Sequence, residues 1–109
     1  AQWMVDEMKQ LVREGMERFF LHPQEYAHTS GMDAAQRNRE RLRLWTVKEA
    51  LYKSNPRNLG TRLKLYVLAD GAALTGAATL ETDPSLHFRY ASRAWRNGFL
   101  SAALCVPCD

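Results

Sequence analysis

The chain has 109 residues, of which 46% are hydrophobic and 25% are charged, a composition typical of a folded globular protein. This length predicts one domain, residues 1–109, and no apolar run approaches the roughly 20 residues that cross a bilayer. The net charge of +3 is compatible with an acidic partner but does not require nucleic acid. There is no signal-peptide pattern, and since the chain does not begin with Met, we expect an excised or processed segment.

The first predicted helix covers residues 4–20, where apolar residues recur at spacings of three and four. His22-Pro23 is expected to end this helix. A short turn is predicted at residues 24–26, and residues 29–32 are predicted to form a loop.

The second predicted helix covers residues 33–54, with Asp33 as its N-cap and Asn55-Pro56 as its stop signal. At about 100° per residue, one face of this helix carries the apolar residues Leu44, Val47 and Leu51. A second face combines apolar and charged residues, namely Leu42, Trp45, Glu49 and Lys53. We therefore predict a helix sandwiched between two layers, with its charged pair at an interface.

The hydrophobic period changes to two after Pro56, which predicts a sheet. Asp70-Gly71 and Asn97-Gly98 are hairpin signals. The predicted strands are residues 63–67, 72–80, 87–95 and 99–106. The predicted fold class is therefore α+β, with two main helices packed on a three- to four-stranded antiparallel meander sheet.

The two cysteines, Cys105 and Cys108, lie at the end of the chain as Cys-Val-Pro-Cys. A zinc site would require two further ligands, and the three histidines show no ligand-like spacing. A thioredoxin-like pair would open a helix, whereas this pair ends a predicted strand. We interpret Cys105 as a small buried residue and Cys108 as tail, and we predict a reducing compartment, the cytoplasm.

The segment Trp45 to Lys53, WTVKEALYK, resembles the W-x-x-K-E-A-x-x-K signature of the 4′-phosphopantetheinyl transferases, especially the surfactin-synthetase-activating type. Arg18-Phe19-Phe20 with the following Pro23-Gln24-Glu25-Tyr26 resembles the R-F-F-x-x-x-E-x segment that precedes the signature. Residues 98–106 resemble the family's final strand, which is rich in small residues. The resemblance covers most of this chain but only the second, C-terminal half of a typical member.

The resemblance implies Mg²⁺-dependent transfer of 4′-phosphopantetheine from coenzyme A to a serine of an acyl or peptidyl carrier protein. This is the activity of a holo-[acyl-carrier-protein] synthase, and the sequence leaves open whether it serves fatty acid, polyketide or peptide assembly. Glu49 is implied to hold Mg²⁺ and to take the serine proton, directly or through a water. Lys53 is implied to stabilise the leaving phosphate, and Lys48 to contact phosphate nearer the rim of coenzyme A.

Spacing alone also allows Glu49 and Lys53 to form a surface ion pair, worth about 0.3–0.5 kcal/mol. The sequence departs from the family at one segment. Family members carry G-x-D-x-E on a strand, where alternate acids face the same way. The candidates here, Asp6 and Glu7, are adjacent and lie in a predicted helix, so they cannot reproduce that pair. We expect the missing acids to come from an upstream half-domain or from another copy of the chain.

Basic residues suggest where a partner binds. Four arginines of the second helix are candidates for binding an acidic carrier: Arg37, Arg39, Arg41 and Arg43. They could equally form a solvated face. The alternative function is a non-catalytic module that binds nucleic acid or scaffolds a synthase, and it also draws on Arg89, Arg93 and Arg96. The low net charge and the lack of an aromatic stacking motif disfavour nucleic acid.

Overall fold

The structure, a computed structural model, describes residues 16–57 and 60–107. A 3₁₀ helix, Met16–Phe19, leads into two α-helices, α1 over Pro23–Ser30 and α2 over Ala34–Ser54. Four strands follow a second 3₁₀ helix at Leu63–Leu65: β1 Tyr66–Leu68, β2 Thr75–Leu80, β3 Leu86–Trp95 and β4 Gly98–Pro107. The strands form one antiparallel meander in the order β1-β2-β3-β4, which confirms the predicted α+β class.

The segment that precedes α2 differs from the prediction. Most of the helix predicted at residues 4–20 lies outside the described residues, and its described end is a 3₁₀ helix. The turn predicted at 24–26 is instead the full helix α1, capped by the His22 side chain. Thr29 and Ser30, predicted as loop, extend α1 because their hydroxyls donate to the carbonyls of Glu25 and Tyr26 at 2.8 and 2.7 Å.

Helix α2 begins and ends where the sequence predicts. Asp33 caps it, its carboxylate accepting the Gln36 backbone N–H at 2.9 Å. The apolar face predicted for α2 is confirmed, since Leu44, Val47 and Leu51 are all buried in the core beneath the helix.

The sheet begins later than predicted. Residues 63–65 curl into a 3₁₀ helix, although Leu63 and Leu65 do pack against the core. The β1–β2 connection is longer than the Asp70-Gly71 signal predicts, because the buried Arg43 side chain donates to the carbonyls of Gly71 and Ala73. Strand β2 then begins at Thr75, where it pairs with β3, and it pairs with β1 from Ala78 onwards.

Strands β3 and β4 form a long hairpin. Along β3, Leu86, Phe88 and Tyr90 are buried towards α2, and the residues between them are exposed, as the alternation predicts. Trp95 pairs with Gly98, so the turn residues are Arg96 and Asn97, one position earlier than the Asn97-Gly98 signal suggests. Among the described residues, no helix is both long and apolar enough to cross a membrane.

The core beneath α2 should dominate stability. Leu51→Ala removes a fully buried side chain and should lower the free energy of unfolding by about 2–5 kcal/mol. Leu104→Ala is the matched control, because this leucine is 64% exposed and its loss should change stability by less than about 0.5 kcal/mol. Urea unfolding measures both, and equal effects would contradict the described core.

Candidate functional site

The predicted pair Glu49 and Lys53 lies at the surface of α2. The Lys53 Nζ is 3.9 Å from the Glu49 Oε2, too far for a hydrogen bond, and the two side chains are 67% and 29% exposed, respectively. Helical spacing thus brings them together, as expected, but among the described residues no second layer covers Lys53, contrary to the predicted sandwich. Both groups are open to solvent and can accept a ligand on the protein surface.

The Glu49 side of α2 faces the free edge of the sheet. The Thr46 hydroxyl lies 2.7 Å from the Ser101 hydroxyl of β4, and the Arg39 guanidinium stacks 5.0 Å from the centroid of the Phe99 ring. Glu49 is three residues after Thr46, so it lies on a neighbouring side of the helix. Within the described residues β4 pairs only with β3, and its other edge is unpaired. Glu49 therefore lies next to an open sheet edge.

Lys48 lies in a different environment from its neighbour Glu49. Its side chain is 0% exposed; the Nζ lies 2.9 Å from the Glu25 Oε1 and also donates to the Tyr66 backbone carbonyl. Burial lowers the pKa of Lys48, and the Glu25 carboxylate opposes this shift. The phosphate contact predicted for Lys48 does not fit this position, since the ammonium has no access to a ligand. Lys48 instead joins α2 to α1 and β1.

Glu25 is the buried partner whose role the sequence reasoning missed. One oxygen, Oε1, accepts the His22 backbone N–H at 2.9 Å and pairs with Lys48, whereas Oε2 is buried with no hydrogen-bond partner among the described residues. The available signal was the resemblance of residues 18–26 to the R-F-F-x-x-x-E-x segment, although the Glu of that pattern falls on Gln24, one residue before Glu25. Spacing could not reveal the contact, because Glu25 and Lys48 are far apart in sequence.

The four arginines of α2 divide into two pairs. Arg37 and Arg39 reach the surface, as a docking role requires. Arg41 and Arg43 are buried, which removes them from the predicted carrier surface. Arg41 donates to the Thr29 and Ser30 hydroxyls of α1 at 2.9 and 3.0 Å, and Arg43 binds the β1–β2 connection.

Carboxylates for a metal are sparse in the described part of the chain. No group of three or more His, Cys, Asp or Glu side chains there could hold a metal ion, and Asp6, Glu7 and Cys108 lie outside it. Cys105 is half-buried against the core, and burial raises the pKa of its thiol. Glu49 is thus not part of a group of three or more such side chains among the described residues.

Comparison with known proteins identifies one family. The family model of the 4′-phosphopantetheinyl transferase superfamily matches residues 4–105, nearly the whole chain. No curated protein and no solved structure shows a significant match. The match includes two of the segments that carry the resemblance, residues 18–26 and 45–53, and all but the last residue of the third, 98–106. Its range also contains Asp6 and Glu7.

The buried pair predicts a specific pattern of stability. Lys48→Met leaves the Glu25 carboxylate uncompensated and should cost about 3–5 kcal/mol of unfolding free energy. Glu25→Gln should also destabilise, and the double variant should lose less than the sum of the two single losses. Lys53→Met is the matched control and should stay within about 0.5 kcal/mol of wild type. Additive losses in a double-mutant cycle would show that Lys48 and Glu25 are not coupled.

Proposed function

Since the chain belongs to the 4′-phosphopantetheinyl transferase superfamily, we propose that it transfers 4′-phosphopantetheine from coenzyme A to a serine of an acyl or peptidyl carrier protein. Members of this superfamily act on carrier proteins with coenzyme A. The observation that carries the proposal is the Glu49–Lys53 pair, accessible at the surface and adjacent to an open sheet edge. Within the superfamily, the sequence favours the surfactin-synthetase-activating type, acting in the cytoplasm.

One site residue suits the attacking serine of the reaction, and the other suits the leaving phosphate. A new bond forms between the serine oxygen and the phosphorus that carries the pantetheine arm, and the pyrophosphate P–O bond breaks to release adenosine 3′,5′-bisphosphate. Glu49 takes the serine proton, because its carboxylate is accessible and its ion-pair partner among the described residues, the Lys53 ammonium, is 3.9 Å away. Lys53, one turn further along α2, offsets the negative charge that develops on the leaving phosphate.

Glu49 also fits one position in the coordination sphere of Mg²⁺. This ion is usually held by one or two carboxylates together with substrate phosphates and waters, so a single accessible carboxylate is a suitable anchor. Bound Mg²⁺ would neutralise part of the pyrophosphate charge. Any second carboxylate would lie outside the described residues, where Asp6 and Glu7 are located, or on another polypeptide.

Lys48 has a positioning role in this proposal. It immediately precedes Glu49 in α2, and its ammonium is fixed by Glu25 of α1 and the Tyr66 carbonyl of β1. These contacts restrict rotation of α2 about its axis. Because successive helical residues differ by about 100° in direction, fixing Lys48 inwards fixes Glu49 towards the β4 edge.

A second polypeptide surface would complete the site. The outward side of β4 exposes Leu100, Leu104 and Val106, and exposed apolar side chains on an unpaired edge strand are a common mark of association. A hollow of about 360 Å³ lies on the same hairpin, beside Leu100, and Ala91 and Ala102 form part of its lining. An upstream half-domain or a second copy of this chain that wraps the β4 edge would contact this apolar row on the outer face of the sheet and α2 with Glu49 on the inner face.

Direct assay of transfer tests the catalytic assignment. With the upstream half supplied, or at a concentration that allows self-association, an apo carrier protein should gain the mass of one phosphopantetheine in the presence of Mg²⁺ and coenzyme A. Glu49→Gln and Lys53→Ala should each lower the rate by about 100-fold or more, because the first removes the proton acceptor and the second the phosphate cation. Intact-mass spectrometry of the carrier measures the rate.

Matched substitutions elsewhere on the surface control for general effects of charge. Glu81→Gln and Lys64→Ala change the same residue types at the other end of the sheet and should leave transfer within about threefold of wild type. Full activity in both Glu49→Gln and Lys53→Ala would refute the assignment of the site.

The surface of β4 gives a separate prediction about assembly. Leu104→Glu places a charge in the exposed apolar row and should weaken association with the upstream half, or with a second copy, by at least about tenfold. Thr79→Glu is the control, because this residue is equally exposed but lies on β2. Sedimentation velocity measures the association, and an unchanged result for Leu104→Glu would exclude β4 from the interface.

A further inference from the structure

One end of the molecule carries basic and apolar side chains that neither the core nor the Glu49 site uses. It lies where the first half of α2 meets the tip of the β3–β4 hairpin. We call it the arginine end and define it by six residues: Arg39, Leu74, Arg93, Trp95, Arg96 and Phe99. A cavity of about 420 Å³ opens here, and Arg39, Leu74 and Phe99 contribute to its lining.

The hairpin tip exposes a cation and an indole side by side. Arg96 adopts a left-handed backbone conformation, φ 54°, as the first central residue of a two-residue hairpin turn. Its guanidinium lies 4.5 Å from the centroid of the Trp95 ring, and this tryptophan is 42% exposed. The turn thus presents a cation stacked on an exposed indole, a combination common where protein partners bind.

Charge at the arginine end is uncompensated. Arg39, Arg93 and Arg96 form no ion pair with any residue that the structure describes. The carboxylate that lines the cavity, Glu40, is already paired with the buried Arg43. Arg39 on α2 and Arg96 at the hairpin tip therefore offer guanidinium groups beside Phe99 and Trp95, whereas Arg93 faces away from α2.

On the basis of the proposed function, we propose that the arginine end docks the carrier protein through an acidic, partly apolar face of that partner. Arginine and tryptophan are the residues enriched where protein partners bind, and Leu74 adds an exposed apolar contact. Nucleic acid fits less well, because three guanidinium groups neutralise few phosphates and the exposed aromatic surface is confined to one hairpin tip.

The position of the arginine end relative to Glu49 supports this assignment. Arg39 and Thr46 are seven residues apart and lie on one side of α2, and Glu49, three residues further on, lies on the neighbouring side. Arg39 is ten residues before Glu49, a rise of about 15 Å. A partner helix of about three turns that lies along α2 would thus contact the arginine end and present a serine at Glu49.

Binding of an apo carrier protein to the full chain tests the proposal without requiring transfer. A fluorescently labelled, acidic apo acyl carrier protein is titrated with each variant, and anisotropy gives the dissociation constant. Arg39→Glu and Arg96→Glu should each weaken binding by at least about tenfold, because each replaces an attractive charge with a repulsive one. Arg62→Glu makes the same change in net charge on an exposed residue at the opposite end of the sheet, and it should change binding by less than about threefold.

Two further measurements separate this proposal from the proposed function. Coenzyme A binding in Mg²⁺, measured by calorimetry, should be the same in all three variants. Equal loss of carrier binding in all three variants, no loss in any, or no binding by the wild type would overturn the docking surface. If random RNA at a similar concentration displaced the carrier, the partner of this surface would be nucleic acid and the docking proposal would be wrong. Absence of transfer in the completed wild type, with carrier binding still dependent on Arg39 and Arg96, would refute the enzymatic function but not the docking surface.

Discussion

The buried ion pair between Lys48 and Glu25 is the interaction on which the arrangement of the chain depends. Removing an ammonium and a carboxylate from water is costly, and it is offset only where both groups are well bonded. Lys48 has the Glu25 carboxylate and the Tyr66 carbonyl, and Glu25 also accepts the His22 N–H. The pair joins α1, α2 and β1 at one point, so the orientation of α2 on the sheet follows from it.

Pairing also explains why three of the six cations of α2 can be buried. Arg41 holds the end of α1 and Arg43 holds the β1–β2 connection, while Tyr90 adds its hydroxyl to two carbonyls of that connection. Each buried cation satisfies backbone or hydroxyl oxygens that would otherwise be left without partners. The cations that remain at the surface, including Lys53 and Arg39, are therefore the ones free to serve a ligand or a partner.

Local signals predicted the elements that depend on local chemistry. The Asp33 cap and the Asn55-Pro56 stop bounded α2, and the period of two gave the alternation of β3, because both patterns arise within a few residues. Contacts between residues distant in sequence could not be predicted in this way. Arg43 lengthens a connection about 30 residues away. A periodic pattern also treats Lys48 as polar and hence exposed, whereas its side chain is buried against Glu25. Glu49 and Lys53 were placed together correctly by helical spacing, whereas their setting at an open edge depended on the order of the strands.

The core and the proposed active site have different requirements. The core is closed within the described residues: Tyr66 and Phe88 pack edge to face at 5.6 Å beneath α2, and the side chains that tie the helices to the sheet are paired. The proposed site has one carboxylate and one ammonium at a sheet edge that still exposes apolar side chains. The described core therefore uses neither residue of the proposed site. Under the proposed function, association at β4 would bring a second surface beside Glu49 and exclude water from the transferred phosphate.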